Sequence, residues 1–294
     1  MFQLMLLSFF GCAQEPALMR DQRCLQNDLD ACYEIGMAAL ALSRPDIGTA
    51  RREFAKACQM SHHPASCNEL AKMARDARGG PRDLKRAAEL FAIACEKGDI
   101  QPACVNLGRA KYDGEGTKVD QAGAAALFES ACKHPEDPRP MGCAALGIAY
   151  SDGVGVEKDL QKSEDLYRHA CDDDYAPACV LAGDVYENIK RGKKTENLTT
   201  ALTFYDRACA IDHNFGCYEY AELHQSGKPA ESSDNKAAEY FQKTCTIDPT
   251  RGCYEAAQLM EDGRVKASPT EIEALYNNAC EHGNTAACDK RMIP

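Results

Sequence analysis

Apolar residues recur along this chain with helical spacing around eight pairs of cysteines. The pairs are 24/32, 58/67, 95/104, 132/143, 171/179, 209/217, 245/253 and 280/288. Within a pair the spacing is 8 to 11, and successive first cysteines lie 34 to 39 apart, a period that marks a helical repeat array. Four positions before each later first cysteine stands an aromatic: Phe54, Phe91, Phe128, Tyr167, Tyr205, Phe241 and Tyr276. One position before it stands a small residue, Ala in six repeats and Thr244 in the other; eight before it stand Ala50, Ala87, Ala124, Ser163, Ala201, Ala237 and Ile272. These offsets share one face of an α-helix, here called helix B.

The second cysteine of each pair opens another stripe. Four residues on comes Gly36, Ala71, Gly108, Gly147, Gly183, Ala221 or Ala257, and three residues on Ile35, Leu70, Leu107, Leu146, Ala182, Tyr220 or Ala256. That stripe defines helix A. Glycine inside a helix costs about 1 kcal/mol relative to alanine, so the recurrent small residue needs a cause. Close approach of a neighbouring helix backbone is the expected one. Between A and B lie turn formers such as Asp113, Gly114, Glu115, Gly116 and Asp152, Gly153, Val154, Gly155. Short polar turns join B to the next A. The pattern predicts an all-α fold, an α/α superhelical solenoid of about seven TPR-like hairpins over residues 17–294. It opens on a half-unit and closes on a truncated helix A.

Seventeen cysteines are far more than a chain of 294 residues usually carries. Oxidised, they suit an exported protein. Sixteen allow a vast number of connectivities. The simplest assignment is local, because each pair flanks one tight turn between antiparallel helices, within disulfide reach. It predicts Cys24–Cys32, Cys58–Cys67, Cys95–Cys104, Cys132–Cys143, Cys171–Cys179, Cys209–Cys217, Cys245–Cys253 and Cys280–Cys288. Structural zinc favours closer ligand pairs, so no metal and no cofactor are expected. Residues 1–13 open on the apolar run Met1–Phe10, too short to span a bilayer and followed by Gly11, Cys12 and Ala13. This resembles a secretory signal or a lipoprotein signal acylated on Cys12, although no basic residue precedes Arg20. Export follows: periplasmic, secreted, or anchored to the outer membrane through lipid on Cys12. The net charge of -11 repels phosphate backbones, so nucleic acid is excluded as a partner.

Leu107 and Gly108 with Tyr112 to Gly116, and Leu146 and Gly147 with Tyr150 to Val156, resemble Sel1-like repeats. With a cysteine pair in every unit, the chain resembles the Helicobacter cysteine-rich protein family. The resemblance implies an exported α/α scaffold for protein–protein contacts. It also implies a link to penicillin binding and weak β-lactam hydrolysis. A second cysteine-rich Sel1-like group serves respiratory-complex assembly in the mitochondrial intermembrane space, a third reading of this chain.

Residues test the hydrolase reading. Ser130 with Lys133, and Ser233, Asp234 and Asn235, match fragments of penicillin-recognising motifs; Lys243, Thr244 and Cys245 miss the third. Those motifs act only on their own β-containing fold, so the matches read as accidental and no catalytic residue is assigned. The histidines are scattered. His62 and His63 sit in a B–A turn with no acidic partner at metal spacing, and His169, His213, His224 and His282 read as surface or cap residues. Binding should use a flank of helix A away from the cysteines, at the first and fifth positions after each second cysteine. That flank carries Tyr33, Lys72, Arg109, Ile148, Asp184, Tyr218, Glu222 and Tyr254. A variable flank on a fixed frame suits a protein or peptide partner. Tyr218 and Tyr254, read as exposed, are its anchors, and a monomer is expected.

Overall fold

The computed structural model describes residues 17–134, 139–188, 194–211, 213–229 and 232–290. The segment 1–13 and Cys12 lie outside them. Sixteen helices and no strand occur among the described residues. The chain divides into two compact units, Met1–Leu127 and Phe128–Pro294.

The first unit opens on α1 (Ala17–Leu25), the half-unit of helix B type. The hairpins α2–α3 (Leu29–Leu40, Ile47–Ser61) and α4–α5 (Pro64–Arg75, Leu84–Gly98) follow, then helix A of the next repeat, α6 (Gln101–Asp113). Helix α7 (Gln121–Cys132) carries the unit boundary. The second unit holds α8–α9 (Pro140–Asp152, Leu160–Asp172), α10–α11 (Ala176–Asn188, Lys194–Ala210), α12–α13 (Asn214–Gln225, Asp234–Ile247), α14–α15 (Pro249–Glu261, Pro269–Glu281) and the short α16 (Thr285–Asp289). In each unit helices pack on their chain neighbours, and in the second α10 also touches α8 and α12. This is the α/α solenoid the repeat period predicts, with no central core.

Local chemistry explains the helix ends. Helices B start at a capping residue whose side chain accepts a backbone N–H: Asp46 from Thr49, Asp83 from Arg86, Asp120 from Gly123, Asp159 from Lys162 and Ser233 from Lys236. Such caps satisfy donors the first helical turn leaves open. Ser268 and Glu271 form a full capping box on α15. In the Asp-Gly-x-Gly loop, Gly114 and Gly116 take φ of +75° and +72°, where a side chain is strained. A Cβ on Gly116 would lie 2.1 Å from the Leu84 carbonyl oxygen, so the loop packs its backbone on the start of α5.

The aromatic of each helix B is the core residue of its repeat. Phe54, Phe91, Tyr205, Phe241 and Tyr276 are buried, ringed by alanines. The small position of helix A differs from expectation: its neighbour is this ring and not a helix backbone. A Cβ at Gly36, Gly147 or Gly183 would stand 2.4, 2.5 or 2.4 Å from the ring of Phe54, Tyr167 or Tyr205. Close backbone approach occurs instead just before the second cysteine. There a Cβ on Gly252 would meet the Cys245 nitrogen at 2.3 Å. Tight contact at that point lets the two cysteines meet.

All eight local cystines are formed, with Cα–Cα separations of 4.5 to 4.9 Å. Those lie inside the range a disulfide demands. No described helix is long and apolar enough to cross a membrane.

Candidate protein-docking face

The helix A flank is most concentrated in the second unit. Asp184 and Glu187 project from α10, Glu219 and Glu222 from α12, and Arg251 and Glu255 from α14. A cavity of about 310 Å³ is lined by Glu187, Glu219, Glu222, Leu223 and Lys228, among others. Tyr205 reaches the same place from α11. Its hydroxyl donates to Asp184 Oδ1 at 2.8 Å and Glu187 Oε2 at 3.2 Å.

Burial, with like charge beside it, raises the proton affinity of three of these carboxylates, Asp184, Glu219 and Glu255. Burial, then the charges of Glu222, Asp184 and Glu187, push Glu219 up to about 7. Burial likewise raises Asp184 and Glu255. Each ionised group loses water and meets like charge. Lys228 stands 3.5 Å from Glu187, and the Arg251 guanidinium sits 4.1 Å from the centre of the Tyr218 ring.

The predicted flank residues divide into distinct groups. Asp184, Tyr218, Glu222 and Tyr254 stand on the A helices of three successive repeats of the second unit. Tyr218 corrects its prediction. It is 6% exposed, because its ring packs edge-on against Phe241 at 5.4 Å under the Arg251 cation. Burial, then a hydrogen bond with Glu222, pushes its hydroxyl up to about 12. Tyr254 is half-buried, its ring 5.9 Å from Tyr276. In the first unit Lys72 is already paired with Glu69 at 2.7 Å. Tyr33 is wedged between Phe54 and His63, 5.8 Å from each ring. Arg109 is exposed beside a small cavity shared with Arg75, Phe91 and Glu115. Glu187, Glu219, Arg251 and Glu255 were missed. For Glu219 and Glu255 the signal was a glutamate two positions after the second cysteine, present also as Glu34 and Glu69.

His224 also differs from the surface reading. It is 1% exposed, its ring 4.7 Å from that of Tyr220, because it falls on the buried helix A stripe. His63 joins a Ser–His–Asp array: Nε2 is 3.0 Å from Asp30 Oδ1, and Nδ1 is 2.8 Å from Ser66 Oγ. Nδ1 also accepts the Ser66 N–H at 3.3 Å, the work of a helix cap. Ser66 has 0% exposure, so a substrate has no route to its hydroxyl. Ser233 caps α13, and Lys133 is paired with Glu129 at 2.6 Å. Glu53 lies within 4.8 Å of the Cys24 and Cys32 sulfurs. Bonded to each other, those sulfurs offer no thiolate to a metal.

A family model described as Sel1 repeat matches residues 64–99, 101–135, 140–175 and 215–246. The chain carries Sel1 repeats. Three of the matched Sel1 segments are A–B hairpins, α4–α5, α8–α9 and α12–α13, and the segment 101–135 covers α6 and α7. Cytochrome c oxidase assembly factor 7 of Xenopus tropicalis is 30% identical over 97 residues, 32% of this chain and 42% of that protein. The Xenopus laevis factor 7A matches to the same extent. The match thus spans less than half the length of those relatives.

Among solved structures, c5321, a protective antigen of uropathogenic Escherichia coli strains with an SLR fold, superposes with a TM-score of 0.69 at 20% identity. That match covers 93% of this chain and 58% of c5321. A Sel1 repeat protein from Oxalobacter formigenes gives 0.68 at 19% identity, covering 86% and 99%. At these identities the likeness is one of fold.

Proposed function

We propose that this Sel1-repeat chain is an exported, monomeric scaffold that docks a protein or peptide partner on its helix A flank. In the second unit the partner presents a cationic segment. One observation carries the reading: Asp184, Glu187, Glu219, Glu222 and Glu255 crowd three neighbouring A helices, and Glu187, Glu219 and Glu222 line a cavity there. Four of them are half-buried and Glu222 is exposed; carboxylates held near like charge gain most from a lysine or arginine brought from outside. Eight cystines suit an oxidising compartment. Lipid on Cys12 is the proposed anchor to the outer membrane.

The test is fluorescence anisotropy with a lysine-rich and a glutamate-rich peptide of equal length. Binding of the first, weakened at high salt and by the double variant Glu219→Gln, Glu222→Gln, is expected. Equal binding of both peptides, or of neither, sinks it.

A second reading is an assembly factor of the mitochondrial intermembrane space, supported by the match to the two Xenopus factors. Locating the tagged protein in its native cell separates the two. The β-lactam reading keeps a direct check. Nitrocefin turnover abolished by Ser130→Ala would displace the scaffold reading.

A further inference from the structure

The eight cystines differ in how a reductant can reach them. Attack on a disulfide requires a thiolate to approach one sulfur in line with the bond that breaks. Cys288 is exposed and Cys280 half-buried. Of the other fourteen half-cystines, thirteen are buried, and Cys95 is half-buried beside an open cavity.

The element closed by Cys280–Cys288 also has the least to hold it. Helix α16 is five residues long, far too short to persist alone. Its buried apolar contact is Ala287, set against Tyr276 and Ala279. Asn284 Nδ2 donates to the Thr250 carbonyl at 2.6 Å. Lys290 pairs with Glu261 at 2.8 Å, with both side chains more than 40% exposed, a surface pair of small worth. The other cystines tie helices of nine residues or more. Reaching the thirteen buried sulfurs requires prior opening of the repeats around them.

We propose that Cys280–Cys288 is the thiol-exchange site of this protein, the bond a dithiol opens while the other seven stay closed. One thiolate of the dithiol attacks Cys288 Sγ. A mixed disulfide forms, the Cys280–Cys288 bond breaks, and Cys280 leaves as a thiolate that takes a proton. The second thiol of the dithiol loses its proton and closes on the first sulfur, releasing Cys288 as a thiol. Two electrons pass from the dithiol, now a cyclic disulfide, to the cystine. Freed, α16 lifts from Tyr276 and Ala279 and uncovers that apolar face. The reductant is a small dithiol or a protein carrying a vicinal dithiol.

The test uses the oxidised full chain in native buffer with limiting dithiothreitol. The reaction is quenched with iodoacetamide at intervals and each cysteine is read by peptide mass spectrometry. Label on Cys280 and Cys288 is expected at least about tenfold faster than on any other pair, with Cys95–Cys104 next. Simultaneous labelling of all pairs, or another pair labelled first, overturns the proposal. The double variant Cys280→Ser, Cys288→Ser is expected to lose the fast phase. Its helical circular dichroism and the reduction rates of the seven remaining pairs should stay unchanged. A fast phase that survives in this variant also overturns it.

Discussion

Gly183 and the ring of Tyr205 show how one side chain sets another's size. A Cβ on Gly183 would enter that ring at 2.4 Å, and the ring is pinned below by buried alanines and above by Asp184. Gly183→Ala gains about 1 kcal/mol of helix propensity and meets overpacking worth roughly 1–3 kcal/mol. A net loss is expected by chemical denaturation; a gain would show that the ring moves freely. Thr244 is the converse case. It stands where six repeats have alanine, and its hydroxyl is buried with no hydrogen-bond partner among the described residues. Thr244→Ala removes that uncompensated group and is expected to raise stability by roughly 1 kcal/mol, read as a higher Tm. A lower Tm means the hydroxyl is satisfied in solution. The sequence marked both positions as small. It did not say what crowds them, because that neighbour lies on another helix.

At the scale of the helix, most of the fold was legible. Cysteine spacing, the aromatic four residues before it and the small residue after it are local signals, and each maps to a fixed helical face. The caps are local as well: Asp46, Asp83, Asp120 and Asp159 all sit beside the backbone donor they accept. Cystine pairing was legible for the same reason, since a turn of a few residues leaves two cysteines nowhere else to go. Each closed ring restricts the unfolded chain. Replacing Cys171 and Cys179 together by alanine, which leaves no unpaired thiol, is expected to cost roughly 2–3 kcal/mol in the chain-entropy model. Urea titration of that variant measures it. An unchanged midpoint would mean that packing alone holds the α9–α10 turn.

At the scale of the whole chain, sequence gave a net charge of -11 and no address for it. The acidic face of the second unit is assembled from α10, α12 and α14, so no single window along the chain displays it. Tyr218 was misplaced for the same reason: Phe241 and Arg251, which bury it, come from the next two helices. The assembled face makes a pH prediction with two opposed signs. Glu219, raised from 4.5 to about 7, holds its proton more tightly folded than unfolded. Its contribution to stability is present below about pH 4.5 and is lost as pH rises through 7. His213 runs the other way, since burial lowers its affinity for a proton and costs stability as pH falls through its ordinary range. The difference between wild type and Glu219→Gln therefore isolates the carboxylate. From pH 5 to 8 the wild type is expected to lose Tm relative to the variant, while its affinity for a lysine-rich peptide rises. The variant's affinity should rise less than the wild type's across that window. Parallel Tm and anisotropy series check both signs, and a wild type that gains Tm over the variant across that window contradicts the half-buried, crowded carboxylate on which the docking face rests.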